Sequence, residues 1–274
     1  MPANAEPAVA TEPAERIPLS RRRWPVHTVQ VLLVVALIAL WWIGTAVGFV
    51  NPFFWSTPAD VLARLGKWFG DGTILGNLLI TLYEAGAAFL IGSISGVVLG
   101  FLLGMTDFWA RVLHPIVSIL NAVPRLVFAP IFFLIFGLGP SSKIAIAVTL
   151  IFFVVFFNAF QGVREVDPTV LANARMLGAR SRYQVARRVL FPSALTWILS
   201  SLQVSVGFAL IGVIVGEYLG SSQGLGYVIA RSQGNLDTTG VMTGLLVLTI
   251  VAILVTIGIG RLERYLVRWK ADRR

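Results

Sequence analysis

The most polar long segment of the chain reads REVDPTVLANARMLGARSRYQVARRVLFP, residues 164–192. No charged side chain occurs in residues 144–163 before the segment or in residues 189–216, which overlap its end. The segment itself carries six arginines and two acidic residues, Glu165 and Asp167. A charged side chain at the centre of a bilayer costs roughly 2.5–3.5 kcal/mol or more, so this segment must lie in water between two membrane helices. Its arginine excess is typical of the cytoplasmic side.

The segment also has internal helical order. Asp167, followed by a proline, is predicted to start a helix, because Asp accepts hydrogen bonds from free N–H groups and proline fits the first helical position. Apolar residues then recur at three-to-four spacing up to Leu177, and Gly178 is predicted to end or bend the helix. A second helical run leads to Pro192. We predict a short helix–turn–helix held out from the membrane, the alternative being an ordinary solvated basic loop.

Composition indicates a membrane protein. The chain is 57% hydrophobic and 13% charged, whereas soluble domains carry about 25% charged residues. The net charge of +9 does not indicate nucleic-acid binding, because the arginines cluster at the ends of predicted membrane helices. The chain has no cysteine, which excludes disulfides, thiolate metal sites and a cysteine nucleophile.

The fold class predicted is an all-α integral membrane protein with about six transmembrane helices. With the N-terminus inside, the predicted cytoplasmic segments hold seventeen of the 22 Lys and Arg residues and the outer segments four. This imbalance predicts that both termini are cytoplasmic. An uncleaved first helix is favoured over a signal peptide, because its apolar run exceeds the usual length of about 7–15 residues. The predicted helices are 31–50, 72–106, 112–138, 144–163, 192–216 and 238–260.

An amphipathic segment follows the first helix. Val61, Leu65, Trp68 and Phe69 form an apolar stripe opposite two basic residues. We predict a short helix lying at the outer membrane surface; the alternative is a loop.

Small residues repeat every four positions in the second helix. Four glycines in this register place one narrow face of the helix where another backbone can approach closely, as in GxxxG packing. We predict a packing seam. Its members after Glu84 and Ala88 are Gly92, Gly96, Gly100 and Gly104.

The third predicted helix is broken by Pro115, Pro124 and Pro130. Broken membrane helices often line cavities, because the freed backbone groups need partners other than lipid. Asn121, Pro124 and Arg125 are therefore candidates for lining a translocation path. Arg125 either reaches the cytoplasmic surface or faces a path used by an anion.

Carboxylates within or near the predicted membrane helices are Glu84 and Glu217. An intramembrane carboxylate is a functional candidate, so Glu217 is a further path candidate, with capping of loop N–H groups as the structural alternative. His27 and His114 are too isolated for a metal site. Because GxxxxGK[ST], HExxH and GxSxG motifs are absent from the sequence, we predict no catalytic residue, no metal and no ATP or other cofactor bound by this chain.

Several of these residues resemble a known family. Ala172-Asn173-Ala174-x-x-Leu177-Gly178-Ala179, followed by Val189-x-Phe191-Pro192, resembles the EAA loop of binding-protein-dependent ABC importer permeases. The resemblance is greatest to the nitrate, sulfonate and taurine subgroup and extends over 77–269, including Pro124, Pro130, Glu217 and Gly224-Leu225-Gly226. The sequence departs from the family where Ala172 replaces a glutamate and Asn173 an alanine, and the spacing to Pro192 is one residue longer.

The resemblance implies a permease subunit of an ATP-driven importer rather than an enzyme. Its expected partners are two copies of a separate ATPase subunit, an extracytoplasmic binding protein, a second and identical permease subunit, and the lipid bilayer of a prokaryotic inner membrane. The residues expected to dock the ATPase are Leu171, Ala172, Asn173, Ala174, Arg175, Leu177, Gly178, Ala179 and Pro192.

The expected cargo is a small anion such as a sulfonate, taurine or nitrate, with a vitamin precursor as the alternative cargo. A self-sufficient ion-coupled carrier or channel is the alternative function. The domain organisation expected is a disordered basic cytoplasmic tail, a first helix with the outer amphipathic segment, the permease domain and a basic cytoplasmic tail. Their bounds are 1–28, 29–75, 76–260 and 261–274.

Overall fold

A computed structural model of the chain describes residues 23–179 and 181–266. Most of this part of the chain is helical, and no β-strand is found in it, which confirms the all-α class. The α-helices are α1 (Arg23–Ala46), α2 (Pro52–Trp55), α3 (Pro58–Gly70), α4 (Thr73–Gly104), α5 (Asp107–Ala122), α6 (Ala129–Phe136), α7 (Pro140–Arg164), α8 (Pro168–Met176), α9 (Arg182–Val185), α10 (Phe191–Gly220), α11 (Leu225–Gly234) and α12 (Thr238–Leu266).

Parts of three predictions lie outside the described residues. They concern the basic tail 1–28 up to residue 22, the tail 261–274 from residue 267 onward, and Arg180 in the polar loop. The backbone of Asn121 belongs to α5, but its side chain is outside the described part.

The described residues form two units, one ending at Pro58 and the other beginning at Ala59. The first unit contains α1 and α2. The predicted helix 31–50 ends earlier, at Ala46, and Gly48, whose φ is +78°, lies in the turn that follows. Glycine adopts this left-handed conformation without a steric penalty. Asn51 then caps α2 by accepting a hydrogen bond from the Phe53 N–H at 2.9 Å.

Five helical stretches of the described residues are long and apolar enough to cross a membrane. The sixth predicted crossing, 112–138, is divided into α5, a 3₁₀ turn at Arg125–Phe128, and α6. The break falls at Val123–Pro124, where both residues have extended backbone. The expected interruption at Pro115 was wrong, because α5 continues through this proline.

The second unit is organised around α7, which packs against α4 on one side and α10 on the other. Each glycine of the predicted seam in α4 meets an α7 residue 59 positions later, so the two helices run parallel. A Cβ atom added at Gly96 would lie 2.9 Å from the Phe152 carbonyl oxygen. Only a residue without a side chain permits this approach. The pairs are Gly92 with Ile151, Gly96 with Val155, Gly100 with Ala159 and Gly104 with Val163.

Helix α10 runs antiparallel to α7 and is equally close to it. Gly212 faces Ala147, where an added Cβ would come within 2.6 Å of the Ala147 Cα atom, and Gly162 of α7 faces Ala194. Alanine, isoleucine and valine side chains fill the centre of this three-helix core.

Helix α3 forms as the sequence predicts. Its apolar stripe is covered in part by protein, because Val61 and Trp68 are buried, whereas Phe69 is 60% exposed. Trp68 packs with Leu225 of α11 and Val247 of α12. Arg64 of the same helix pairs with Asp237 at 2.5 Å.

Candidate functional site

The loop 164–192 begins with a capped helix. The Asp167 carboxylate accepts a hydrogen bond from the Thr169 N–H at 2.7 Å, and Pro168 occupies the first helical turn. The hydrogen bonds from Thr169 hold the pKa of Asp167 below its usual range. This end of α8 therefore forms as the Asp-Pro pair predicts.

Gly178 closes α8 in a Schellman motif. Its φ of +97° allows the Gly178 N–H to donate to the Arg175 carbonyl at 3.1 Å and the Ala179 N–H to donate to the Ala174 carbonyl at 3.0 Å. This pattern of two hydrogen bonds satisfies the last carbonyls of a helix and favours glycine at the left-handed position.

A capping box then starts α9. The Ser181 hydroxyl accepts from the Gln184 N–H at 3.1 Å, and the Gln184 side chain accepts from the Ser181 N–H at 3.2 Å. This reciprocal pair satisfies two N–H groups that the helix leaves free. A π-helical turn at Ala186–Leu190 connects α9 to α10.

The loop exposes large apolar side chains to solvent. Met176, the last residue of α8, is 79% exposed, and Leu177, which follows it, is 89% exposed. A rigid protruding helix that ends in exposed apolar side chains is typical of an interaction surface. Of the predicted docking residues, Ala179 is buried, Leu171 and Ala174 are half-buried, and Ala172, Asn173, Arg175, Leu177, Gly178 and Pro192 are exposed.

A cluster of buried and half-buried polar residues lies at the other end of α7 and α10. We call it the polar node and define it as Asn77, Thr81 and Glu84 of α4, Lys143 of α7 and Glu217 of α10. Glu84, Lys143 and Glu217 are each 1% exposed. From Lys143 to Arg164, next to the loop, α7 rises by about 32 Å at 1.5 Å per residue.

The polar node binds the start of α11 through three consecutive backbone N–H groups. The Gly224 N–H donates to Asn77 Oδ1 at 2.7 Å, the Leu225 N–H to Thr81 Oγ1 at 2.9 Å and the Gly226 N–H to Glu217 Oε2 at 2.7 Å. The Thr81 hydroxyl donates to Glu217 Oε1 at 2.7 Å. The geometry therefore supports the capping interpretation of Glu217 that the sequence left open.

The glycines of 224–226 are required by this close approach. Gly224 has a φ of +102°, and an added Cβ there would overlap the Glu217 carboxyl group. At Gly226 an added Cβ would lie 2.8 Å from Glu217 Cβ. The sequence motif Gly224-Leu225-Gly226 is thus buried and engaged inside the protein, and the exposed residues beside it are 222–223.

Lys143 is one of the four basic residues of the predicted outer segments, but it is buried rather than in a solvated loop. It lies in the first turn of α7, and its ammonium group donates to the carbonyl oxygens of Leu138 and of Gly139, the latter at 3.0 Å. Together with Glu217, it is one of the charges that act on Glu84. The sequence contained only an indirect signal, namely that Glu84 in a long apolar run requires partners elsewhere.

Arg125 lies at the break between α5 and α6 and is half-buried. Its guanidinium carbon is 4.5 Å from the centroid of the Phe153 ring of α7, within the range of a cation–π interaction. Pro124 beside it is exposed. The structure thus places a cation against the central helix at the one predicted membrane crossing that is not continuous.

Comparisons with known proteins agree with these features. Residues 96–272 match the family described as binding-protein-dependent transport system inner membrane component. The chain is 33% identical to the putative aliphatic sulfonates transport permease SsuC of Bacillus subtilis, over 87% of this chain and 86% of that protein. It is 29% identical to the taurine transport system permease TauC of Escherichia coli, over 91% and 94%.

Other relatives are named for different cargoes. The chain is 30% identical to the formylaminopyrimidine transport permease ThiX of Halalkalibacterium halodurans, over 87% of this chain and 94% of that protein. The fold is similar to that of a chain in an inward-facing structure of the MetNI methionine ABC transporter. The TM-score is 0.60 at 20% identity, over 69% of this chain and 94% of that chain.

The chain belongs to the family of binding-protein-dependent transport system inner membrane components. It is the permease subunit of an ABC importer, a multi-pass protein of the inner membrane, and a transport component rather than an enzyme. Membership of this family implies an ATPase subunit and a binding protein as partners. It argues against the alternative function, a self-sufficient carrier or channel.

Proposed function

We propose that the ATPase subunits of this importer dock on the exposed loop 164–192, and that the permease acts as a homodimer with two of them. The observation that carries the docking proposal is the exposure of Met176 and Leu177 at the end of a doubly capped helix. Caps hold α8 in one shape, so a partner need not order it on binding. The loop continues into α7 and α10, so a displacement of α8 is passed to both helices.

The direction of transport follows from the predicted topology. With the loop in the cytoplasm, the polar node lies at the outer end, and the binding protein delivers its cargo there, next to α3 and residues 222–223. Closure of the ATPase subunits around ATP moves α8 and switches the path from inward-facing to outward-facing.

Native mass spectrometry of the intact complex tests the stoichiometry: two copies of this chain with two ATPase chains support the homodimer, and one copy beside a different permease contradicts it.

For the cargo we propose a small organic anion of the sulfonate class. Two of the relatives are named for aliphatic sulfonates and taurine, and Arg125 supplies a positive charge at the broken crossing. The path candidates that we retain are Asn121, Pro124 and Arg125, because Glu217 is buried and holds the start of α11. A formylaminopyrimidine-like vitamin precursor is the second candidate, because a relative at 30% identity is named for it.

The cargo proposal is tested by uptake into proteoliposomes that contain the permease, its ATPase and its binding protein. Taurine, an alkanesulfonate and a formylaminopyrimidine are offered separately to the wild type, to Arg125→Gln and to Arg125→Lys. We expect ATP-dependent uptake of a sulfonate that falls at least about tenfold in Arg125→Gln, the equivalent of one lost charge-assisted hydrogen bond, and less in Arg125→Lys.

The matched control is Arg111→Gln, which removes an exposed arginine outside the proposed path. It should leave uptake near the wild-type rate. Wild-type sulfonate uptake by Arg125→Gln would remove Arg125 from the path, and uptake of the pyrimidine alone would replace the sulfonate proposal.

A further inference from the structure

The charges of the polar node do not balance if both carboxyl groups are ionised. Glu84 and Glu217 would contribute two negative charges and Lys143 one positive charge, all at 1% exposure. Among the described residues, the charged groups that act on Glu84 are Glu217 of α10 and Lys143 of α7. A buried charge without compensation costs several kcal/mol, so one carboxyl group of this arrangement is expected to be neutral.

The hydrogen bonds show which of the two is ionised. Both oxygens of Glu217 accept, one from the Thr81 hydroxyl and the other from the Gly226 N–H. An ionised carboxylate accepts such bonds, and they stabilise its charge. Glu217 is therefore the ionised carboxyl group of the polar node, and Lys143 supplies the positive charge there.

Glu84 has a different environment. Its Oε2 atom is buried and accepts no hydrogen bond from the described residues, which is costly for a carboxylate oxygen. Glu84 lies three residues after Thr81 on the same face of α4, and Thr81 donates to Glu217, so the Glu84 carboxyl group faces that of Glu217. A neutral carboxylic acid has an O–H group that can donate to a neighbouring carboxylate, and the pattern of acceptors assigns the proton to Glu84.

We propose that Glu84 is a neutral carboxylic acid whose O–H group donates to the Glu217 carboxylate, so that the polar node is a proton-binding site with no net charge. The bound proton links α4 to α10, and Glu217 in turn holds the start of α11. Glu84 is thus a positioning residue that acts through Glu217.

The position of the polar node gives this proton a mechanical role. Helix α10 begins beside the loop 164–192 and ends at the polar node, and α7 connects the same two places. With the proton in place, α4, α7 and α10 are joined at the end remote from the loop and move as one body. Without the proton, the Glu84 and Glu217 carboxylates would repel each other, and the link that Glu84 makes between α4 and α10 would be lost.

The first test is infrared spectroscopy of the purified permease in lipid at neutral pH. A protonated carboxylic acid has a C=O stretching band distinct from that of a carboxylate. We expect this band in the wild type and its loss in Glu84→Gln. Its absence from the wild type, or its persistence in Glu84→Gln, would overturn the proposal.

The second test separates a neutral donor from a charged group. Glutamine at 84 keeps the shape and can still donate to Glu217, so Glu84→Gln should melt within about 2 °C of the wild type. Glu84→Ala and Glu217→Gln should melt lower by about 5 °C or more, because each leaves a buried polar partner unsatisfied. Equal losses in Glu84→Gln and Glu84→Ala would show that the carboxyl group must be ionised and would refute the assignment.

Discussion

Replacing Gly178 by glutamate separates a docking role of the loop from a purely local one. Gly178 has a φ of +97°, and an added Cβ meets no atom within 4 Å. The internal cost is therefore backbone strain, about 1–2 kcal/mol for a residue with a side chain in the left-handed region. Such a cost should leave the permease folded and inserted in the membrane.

The cost at an interface should be larger. If Leu177 and Met176 enter a groove of the ATPase, each contributes about 1.5–3 kcal/mol on burial. Displacing one of them weakens docking by about tenfold to a hundredfold. The assay is co-purification of the ATPase with the tagged permease in mild detergent, followed by ATP-dependent uptake in proteoliposomes.

A matched control is available in Gly48→Glu. Gly48 also has a positive φ, +78°, and open space around its Cβ position, but it lies outside the loop. We expect similar melting temperatures for the two variants and loss of the ATPase only from Gly178→Glu. Normal ATPase recovery and uptake by Gly178→Glu would refute the docking role, as would equal losses in both variants.

Two further predictions concern packing and charge. Gly96→Leu inserts a side chain between α4 and α7 and should lower the melting temperature by several degrees, since overpacking costs about 1–3 kcal/mol. Gly86→Leu, in open space on the same helix, should not lower it. Equal melting temperatures of the two variants would count against the seam. Burial opposes ionisation of Asp237, but hydrogen bonds from the Gly240 N–H and from Arg64 hold its pKa below the usual value. The contribution of the ionised Asp237 to the free energy of unfolding is therefore present above about pH 4 and is lost as the pH falls through the lowered pKa. Asp237→Asn should lower the free energy of unfolding by about 1 kcal/mol at neutral pH and leave it unchanged under acid conditions. Thermal melting across pH measures this difference.

Local signals in the sequence were sufficient to predict the structure of loop 164–192 and the glycine seam of α4. The Asp167 cap and the Gly178 turn depend on residues within five positions of each other, and a four-residue glycine repeat defines one helix face without knowledge of its partner. Both features could therefore be predicted from residue type and spacing alone.

The polar node could not be predicted in this way. Its central hydrogen bond joins Thr81 to Glu217 across 136 positions of the chain, and no spacing rule brings them together. The same holds for the packing of α3: its amphipathic pattern shows that one face is apolar, but not that protein covers Val61 and Trp68. Helix α11 was missed because it is short and lies between two signals of a loop, Gly224 and Asn235.

The central claim, that loop 164–192 is the ATPase docking surface, is tested most directly by site-specific crosslinking. The chain contains no cysteine, so Leu177→Cys introduces a unique attachment point on the loop. Leu236→Cys, at a position 75% exposed and next to α11, is the control. We predict that Leu177→Cys crosslinks to the ATPase in native membranes and that Leu236→Cys does not. Failure of Leu177→Cys to crosslink, or crosslinking of the ATPase through Leu236→Cys alone, would contradict the account.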